Sequence, residues 1–339
     1  MRPQRWRTLG AATAAVAALT ITACSAPDES GSDSDSASVP TAEAGAYPVT
    51  IDHVFGKTTI DSQRKRVAAM GVGDADNLLA LGVKPVTIAT FADPDATSSP
   101  WNADLIGDTS PTVLPNTSSE FGGQIAKALS TNPDLITAVG AVPTREQYDT
   151  LAKTTPTILR PTGATAWETP WDVQVTEIGK AVGLPKAAEA KVAETKKYLT
   201  DVQNQHPQFA GKTGVVVTGA PNGGVSIYSE GDGRGQTLTG YGLKFPEQLR
   251  SAITNGFYGE LAAESLNRLD SADVVVAVDW AGSNDKLRAD PAFQRTAAAR
   301  EGRVVYLDQE VGSAMSVPTV LTIPWVGSRA VGPIADAIK

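Results

Sequence analysis

A glycine-rich stretch in the second half of the chain has the residues best suited to hold a ligand. It covers residues 228–236 and has three glycines within five positions, which bracket Arg234. Glycine adopts backbone conformations that other residues avoid, and a planar guanidinium presented there suits carboxylate or catecholate oxygens. We therefore predict that Arg234 and Tyr228 contact a ligand. The competing interpretation is a surface turn in which Arg234 pairs with Glu230 or Asp232.

Tryptophan is concentrated in or beside the predicted loops, although aromatic residues make up only 6% of the chain. Five such residues are Trp101, Trp167, Trp171, Trp280 and Trp325. Large flat side chains in loops can stack on aromatic or macrocyclic ligands. We predict that Trp280 and Trp167 contact the ligand, and that Trp101 and Met315 are further contacts. The alternative is that each tryptophan anchors its own loop to the protein.

The sequence offers no catalytic or metal-binding constellation. His53, His206 and a single cysteine provide too few nitrogen and sulfur ligands for a structural metal site. No GxSxG nucleophile motif occurs, and neither histidine has an identifiable carboxylate partner. Residues 71–74 precede a predicted helix and could meet an anion, but the full GxGxxG of a dinucleotide-dependent oxidoreductase is absent. We predict neither enzymatic activity nor a resident cofactor.

Short β-branched strands, turns and helices alternate on both sides of the chain's centre. Residues 66–89 predict a strand, turn, helix and strand, and a similar order recurs at 272–307, as expected for parallel α/β sheets. Ligands of such sheets bind loops beyond the carboxyl ends of the strands. These loops are predicted at residues 71–74, 140–145, 162–171, 228–236, 280–286 and 312–317. Two facing lobes would gather them around one cleft.

The longest helix-compatible stretch, residues 170–206, lies between these two units. It is rich in Ala, Lys and Glu and has one break at Gly183-Leu184-Pro185. We predict an α/β fold in which two Rossmann-like lobes, residues 47–169 and 207–339, are bridged by a long helix. Two ordinary surface helices within one domain are the alternative.

The N-terminus has the pattern of an export signal. Arginines precede an apolar stretch at 9–21, which is too short to span a bilayer. Small residues before Cys24 resemble the lipobox of bacterial lipoproteins, which implies a signal peptide at 1–23, lipid on Cys24, and an extracytoplasmic protein anchored to the cell membrane. A plain secretory signal with a chance cysteine is the alternative.

The composition predicts a tether and excludes one class of partner. Residues 24–46 are mainly Ser, Asp, Ala and Gly with few large apolar groups, so we predict that they are disordered. The formal net charge is -8 and no basic patch is visible, so we expect no nucleic-acid partner. We expect the protein to be monomeric.

Several segments, in this order, resemble the iron–siderophore substrate-binding proteins of ABC importers. They are RVAAMGVGDADNLLALGVKP, NPDLITA, YSEGDGRGQTL, LAAESLNRLDSADVVV, GRVVYLD and AMSVPTVLTIPW. The resemblance covers residues 47–339. It implies the helical-backbone periplasmic-binding-protein fold with a shallow cleft and little closure. It also implies that a ferric siderophore is bound, with Arg234 and Arg145 as its cationic contacts, and delivered to a membrane permease.

The resemblance further implies docking on the permease through one acidic residue in each lobe. Glu264 matches this position in the second lobe. The corresponding helix of the first lobe has no acidic residue, which leaves Glu120 as a displaced candidate. Haem or cobalamin binding by the same fold, and a cell-envelope interaction module without a ligand, are the alternative functions.

Overall fold

The computed structural model describes residues 38–338 except 92, 94, 95, 116–118, 166 and 222. The predicted signal peptide and the lipid-attachment residue Cys24 lie outside the described residues. Within the described part of the chain, no helix combines the length and apolar character needed to cross a membrane.

The first lobe contains a β-hairpin and a five-stranded sheet. Its elements are β1 (Val49–His53), β2 (Gly56–Ile60), β3 (Val67–Ala69), α1 (Asp74–Ala80), β4 (Thr87–Ala89), α2 (Ala103–Ile106), β5 (Thr112–Leu114), α3 (Phe121–Leu129), β6 (Leu135–Ala138), α4 (Arg145–Ala152) and β7 (Thr157–Leu159). The sheet order is β5-β4-β3-β6-β7, and all its strand pairs are parallel. All residues of β3, β4, β6 and β7 are buried, as expected for a parallel sheet covered on both faces.

Two helices, α5 (Trp171–Ala181) and α6 (Pro185–Gln205), follow the first lobe. Gly183, at a left-handed φ of 75°, separates them, and Pro185 begins α6. On α6, Ala188 belongs to the core of the first lobe and Val202 to a core of the second. At ~1.5 Å per residue these positions are roughly 20 Å apart along the helix, so α6 is the bridge between the two cores.

The second lobe contains a six-stranded mixed sheet. Its elements are β8 (Gly214–Gly219), β9 (Val225–Tyr228), α7 (Gly233–Gly240), β10 (Ile253–Asn255), β11 (Tyr258–Leu261), β12 (Val274–Val278), α8 (Ser283–Ala289), α9 (Pro291–Gln294), α10 (Ala297–Arg300), β13 (Val304–Leu307), α11 (Gln309–Ser316) and α12 (Thr322–Ala337). Among the described residues, 3₁₀ helices occur at Pro207–Phe209, Glu247–Ala252 and Ala263–Ser271. The sheet order is β10-β11-β9-β8-β12-β13, with β8, β12 and β13 parallel. Two separate sheets joined by α6 confirm the predicted fold class.

A second crossing between the lobes occurs near the C-terminus. Val320, just before helix α12, and Ile323 on α12 pack in the core of the first lobe. Val326 and Ala330, also on α12, pack in the second. Helix α12 was not predicted from the sequence. Because both crossings are packed helical segments, the two lobes are held together at two places.

The predicted tether extends too far into the chain, because residues 38–46 pack on the first lobe. The Glu43 carboxylate accepts hydrogen bonds from the backbone N–H groups of Lys186 and Ala187, each 2.9 Å away, at the start of α6. The Lys84 N–H donates to the carbonyl of Ser38. A carboxylate at a helix N-terminus is stabilised by the unpaired N–H groups there, and the composition of the segment does not reveal this partner.

Candidate ligand-binding cleft

Two cavities of about 360 Å³ each lie between the lobes, and Phe91 lines both of them. The first, called the aromatic cavity, is lined by Phe91, Trp167, Tyr228, Phe257, Tyr258 and the Asp232–Arg234 pair. The second, called the acidic cavity, is lined by Phe91, Trp101, Asp76, Asp93, Glu310 and several Ser and Thr residues. Both volumes lie within the usual range for small-molecule sites.

Arg234 lies in the first turn of α7 and is only 8% exposed. The Asp232 carboxylate caps the helix by accepting from the Arg234 N–H at 2.9 Å. Its two oxygens also accept from Arg234 Nη1, at 3.0 and 3.1 Å. The guanidinium carbon lies 3.9 Å from the centroid of the Tyr228 ring. The helix cap, the ion pair and the contact with the Tyr228 ring together fix the orientation of the guanidinium at the cavity wall.

The ion pair with Asp232 does not satisfy every nitrogen of the Arg234 guanidinium. Arg234 Nε is buried and has no hydrogen-bond partner among the described residues. Burial raises the pKa of Asp232, and the neighbouring Arg234 charge opposes that shift. The predicted pairing with Asp232 is therefore present, but in a buried cavity wall and not in a surface turn.

Glycines at the start of α7 are required by close packing. A Cβ at Gly235 would lie 2.7 Å from the Cα of Glu230, and one at Gly233 would lie 2.5 Å from Cδ of Pro318. Neither residue has a positive φ. The expected reason for these glycines, unusual backbone conformation, is therefore wrong at both positions: they allow the helix to approach its neighbours.

Trp280 and Trp167 border the cleft from different elements. Trp280 follows β12, is 45% exposed, and its ring centroid lies 5.8 Å from that of Phe91 in the opposite lobe. Trp167 lines the aromatic cavity with a φ of 69°. For a bulky residue such a conformation costs ~1–3 kcal/mol, so the surrounding contacts must hold it.

The acidic cavity is built around Asp76, in the first turn of α1. The indole Nε1–H of Trp101 donates to its Oδ2 at 2.8 Å, and Asn102 Nδ2 donates to its Oδ1 at 2.6 Å. Burial raises the pKa of Asp76 to about 6, and the hydrogen bonds from Asn102 and Trp101 oppose that shift. Among the described residues, no Lys or Arg lines this cavity. Trp101 also packs edge-on against Trp325 of α12, 5.2 Å between centroids, so it anchors its loop as well as lining the cavity.

Three of the predicted ligand contacts line neither cavity. Trp280 borders the cleft only through its contact with Phe91. Met315 is 0% exposed, because the predicted loop at 312–317 is largely helix α11 and Met315 lies on its buried face. Arg145, at the start of α4, has a 64% exposed side chain that pairs with Asp149 at 2.9 Å and lines neither cavity.

Several cavity residues were missed by the sequence analysis. Phe91 follows the predicted strand β4, so the rule that ligands meet the carboxyl ends of strands could have identified it. Asp76 was passed over because an acidic residue in the first helical turn is commonplace. Phe257 and Tyr258 belong to a β-hairpin that shows no recognisable motif.

The two candidate docking residues lie on the protein surface. Glu264 is exposed in the first turn of the 3₁₀ helix Ala263–Ser271, and Glu120 is exposed at the N-cap of α3.

Comparison with known proteins identifies the family. The periplasmic binding protein profile matches residues 67–311. The Bacillus subtilis protein YhfQ is named as an ABC transporter substrate-binding lipoprotein. It is 27% identical to this chain over 79% of this chain and 83% of its own length. The Fe(3+)-citrate-binding protein YfmC of the same organism is 24% identical over 75% of this chain and 76% of its own.

A solved structure shows the same architecture. The crystal structure of Streptococcus pneumoniae PiaA in complex with ferrichrome superposes with a TM-score of 0.72 and 25% identity, over 86% of this chain and 98% of PiaA. This is a family of substrate-binding transport proteins and not of enzymes. The chain belongs to the periplasmic binding protein family.

Proposed function

We propose that this protein is the substrate-binding component of an ABC importer and that it carries a ferric siderophore in the cleft between its lobes. The observation that carries the proposal is the aromatic cavity, where Arg234 and five aromatic side chains line one space between the lobes. The relatives support it, since YfmC is named for binding ferric citrate and PiaA was crystallised with ferrichrome.

The cavity chemistry suits an iron chelate. A siderophore surrounds the iron with its own oxygens, so the protein has to recognise only the outside of the complex. Arg234 can donate to chelating oxygens at the rim, while Trp167 and Tyr228 offer faces to its apolar parts.

The packing of the lobes favours a cleft that is formed before the ligand arrives. Helix α6 and the start of α12 both cross between the cores. Trp280 and Phe91 also meet across the cleft. A pre-formed site loses less conformational freedom when it binds, and we expect little closure.

Delivery requires a membrane partner and a position near it. We propose that the lipid is attached to Cys24 after removal of residues 1–23, and that the monomeric protein docks on a permease through Glu264 and Glu120. Exposed ion pairs contribute ~0–1 kcal/mol each, so docking would also depend on the shape of the two surfaces. Replacing Cys24 with Ser should release the protein from membranes; unchanged retention would contradict the anchor.

Intrinsic tryptophan fluorescence tests the proposed cargo. Saturable quenching is expected with at least one of three ferric complexes, a tris-catecholate, a dicitrate or a trihydroxamate, because Trp167 and Trp280 border the cleft. The iron-free ligands serve as controls for inner-filter effects. Failure of all three to change the fluorescence or to bind by calorimetry would reject the proposal.

A further inference from the structure

The two cavities differ in the balance of their charges. In the aromatic cavity Arg234 is matched by Asp232, so the pair carries no net charge. In the acidic cavity, Asp76 and Glu310 line the space, and none of its described lining residues is a Lys or Arg. Among its described lining residues, the acidic cavity therefore has carboxylates without a matching cation.

Asp76 is a buried carboxylate stabilised by neutral groups. It is 7% exposed, and its described hydrogen-bond donors, Trp101, Asn102 and Thr319, are uncharged. No Lys or Arg forms an ion pair with it among the described residues, and no positive charge contributes to its pKa. Buried charges are ordinarily paired with an opposite charge. At this position a bound ligand can supply that charge.

Glu310 lines the same cavity as Asp76 but belongs to the other lobe. It lies in the first turn of α11, whereas Asp76 lies in the first turn of α1. Both lobes therefore contribute negative charge to the same space. Trp101 and Phe91 add aromatic faces, which attract cations as well.

The charge of a ferric chelate depends on its chelating groups. Three catecholates, each doubly deprotonated, give Fe³⁺ a complex with a strongly negative charge, and citrate complexes are also anionic. Three hydroxamates, each singly deprotonated, give a neutral complex. An anionic complex would be repelled by the acidic cavity, whereas a neutral complex with an ammonium group would be attracted.

The cavities are arranged to hold both parts of one such molecule. They share Phe91, so a ligand in the aromatic cavity lies directly beside the acidic one. We propose that the protein selects a ferric trihydroxamate with a protonated amine, the chelate packing against the aromatic cavity and the ammonium arm entering the acidic cavity between Asp76 and Glu310. This inference rests on the proposed function and specifies its cargo.

A pair of ligands that differ only in this charge provides the test. Ferrioxamine B is a ferric trihydroxamate with a primary amine, and acetylation of that amine removes its charge. We expect the mature protein to bind ferrioxamine B roughly tenfold more tightly than the acetylated form, as for a charge-assisted hydrogen bond. Calorimetry or fluorescence quenching gives both affinities.

Variants then show which side chains produce the preference for the charged ligand. Asp76→Asn and Glu310→Gln should each move the ratio of the affinities for ferrioxamine B and its acetylated form toward one. Glu310 is exposed, so its variant keeps the test valid if the buried Asp76→Asn does not fold. Glu189→Gln, an exposed change on α6 outside both cavities, is the matched control and should leave the ratio unchanged.

The outcomes separate this inference from the proposed function. Equal affinity for the two forms of ferrioxamine B, or tighter binding of the tris-catecholate or dicitrate complex, would overturn the charge preference while leaving siderophore binding intact. Binding of no ferric complex would count against the proposed function itself.

Discussion

The aromatic and acidic cavities are assembled from the chain in different ways. In the aromatic cavity the charged pair, Asp232 and Arg234, comes from one helix start, two residues apart. In the acidic cavity Asp76 and Glu310 come from different lobes and line one space only in the folded protein. The first arrangement is encoded locally in the sequence, whereas the second depends on how the lobes are joined.

Removal of the Arg234 charge should have the largest effect, because it disables the aromatic cavity for every cargo. Since Arg234 alone could not be removed without leaving a buried carboxylate unpaired, the useful variant combines Arg234→Gln with Asp232→Asn. We expect a loss of affinity of about 100-fold for any ferric complex that binds, as for a lost charged hydrogen bond in a buried site. Fluorescence titration measures it. Arg145→Gln, an exposed arginine outside both cavities, is the control, and an equal loss there would show that Arg234 has no special role.

Phe91→Ala should affect both cavities, because this side chain lines each of them. We expect roughly tenfold weaker binding of both ferrioxamine B and its acetylated form, from the loss of a buried aromatic contact. The ratio of the two affinities should change little, and calorimetry gives both. A selective loss for one ligand would mean that the cavities do not share this wall in the complex.

Because the pKa of Asp76 in the acidic cavity is raised, the contribution of this residue to the stability of the fold depends on pH. Burial raises this pKa to about 6, above the ~3.9 of an unfolded aspartate. The folded state therefore binds the proton more tightly, so this group favours folding more at pH 5 than at pH 7.5. Between pH 7.5 and pH 5, the contribution of Asp76 to the free energy of unfolding should rise by about 1 kcal/mol.

Urea unfolding of the wild type and Asp76→Asn at both pH values isolates this contribution. Other groups, including His53, whose burial lowers its pKa, affect both proteins equally. The wild type should gain about 1 kcal/mol relative to the variant on acidification. A parallel pH dependence in the two proteins would contradict a raised pKa at Asp76.

A change in salt concentration should produce the smallest effect on ligand affinity. Glu310 is exposed, so its attraction for an ammonium group is screened as ionic strength rises. Between 0.05 and 0.5 M NaCl, we expect the affinity for ferrioxamine B to fall about two- to threefold. The acetylated form is the control and should hardly respond. An identical response of both ligands would remove the evidence for a charged arm in the acidic cavity.

Local patterns were enough to predict much of the fold. The strand Val274–Val278 lies within residues 272–307, and β3, α1 and β4 lie within residues 66–89, the two regions in which strands and helices were predicted to alternate. These features depend on neighbouring residues in the chain. The second crossing by α12 was missed because its apolar residues serve two cores, and a single sequence does not show which residues pack in which core.

The candidate site was predicted from the sequence only where its residues are close together in the chain. Arg234 and Tyr228 belong to one short segment, and the structure places them together. Met315 was misjudged because α11 was interpreted as a loop, which concealed the helical face that buries it. The acidic cavity could not be predicted, because its carboxylates become neighbours only when the lobes pack together.

The anomalous scattering of iron in crystals grown with ferrioxamine B tests the central claim most directly, because it locates the metal independently of the protein's side chains. We expect a single iron peak between the lobes beside Phe91, with Arg234 on one side and density for the amine arm extending toward Asp76. An iron peak on an outer surface of either lobe, or none in the cleft at saturating ligand, would contradict it.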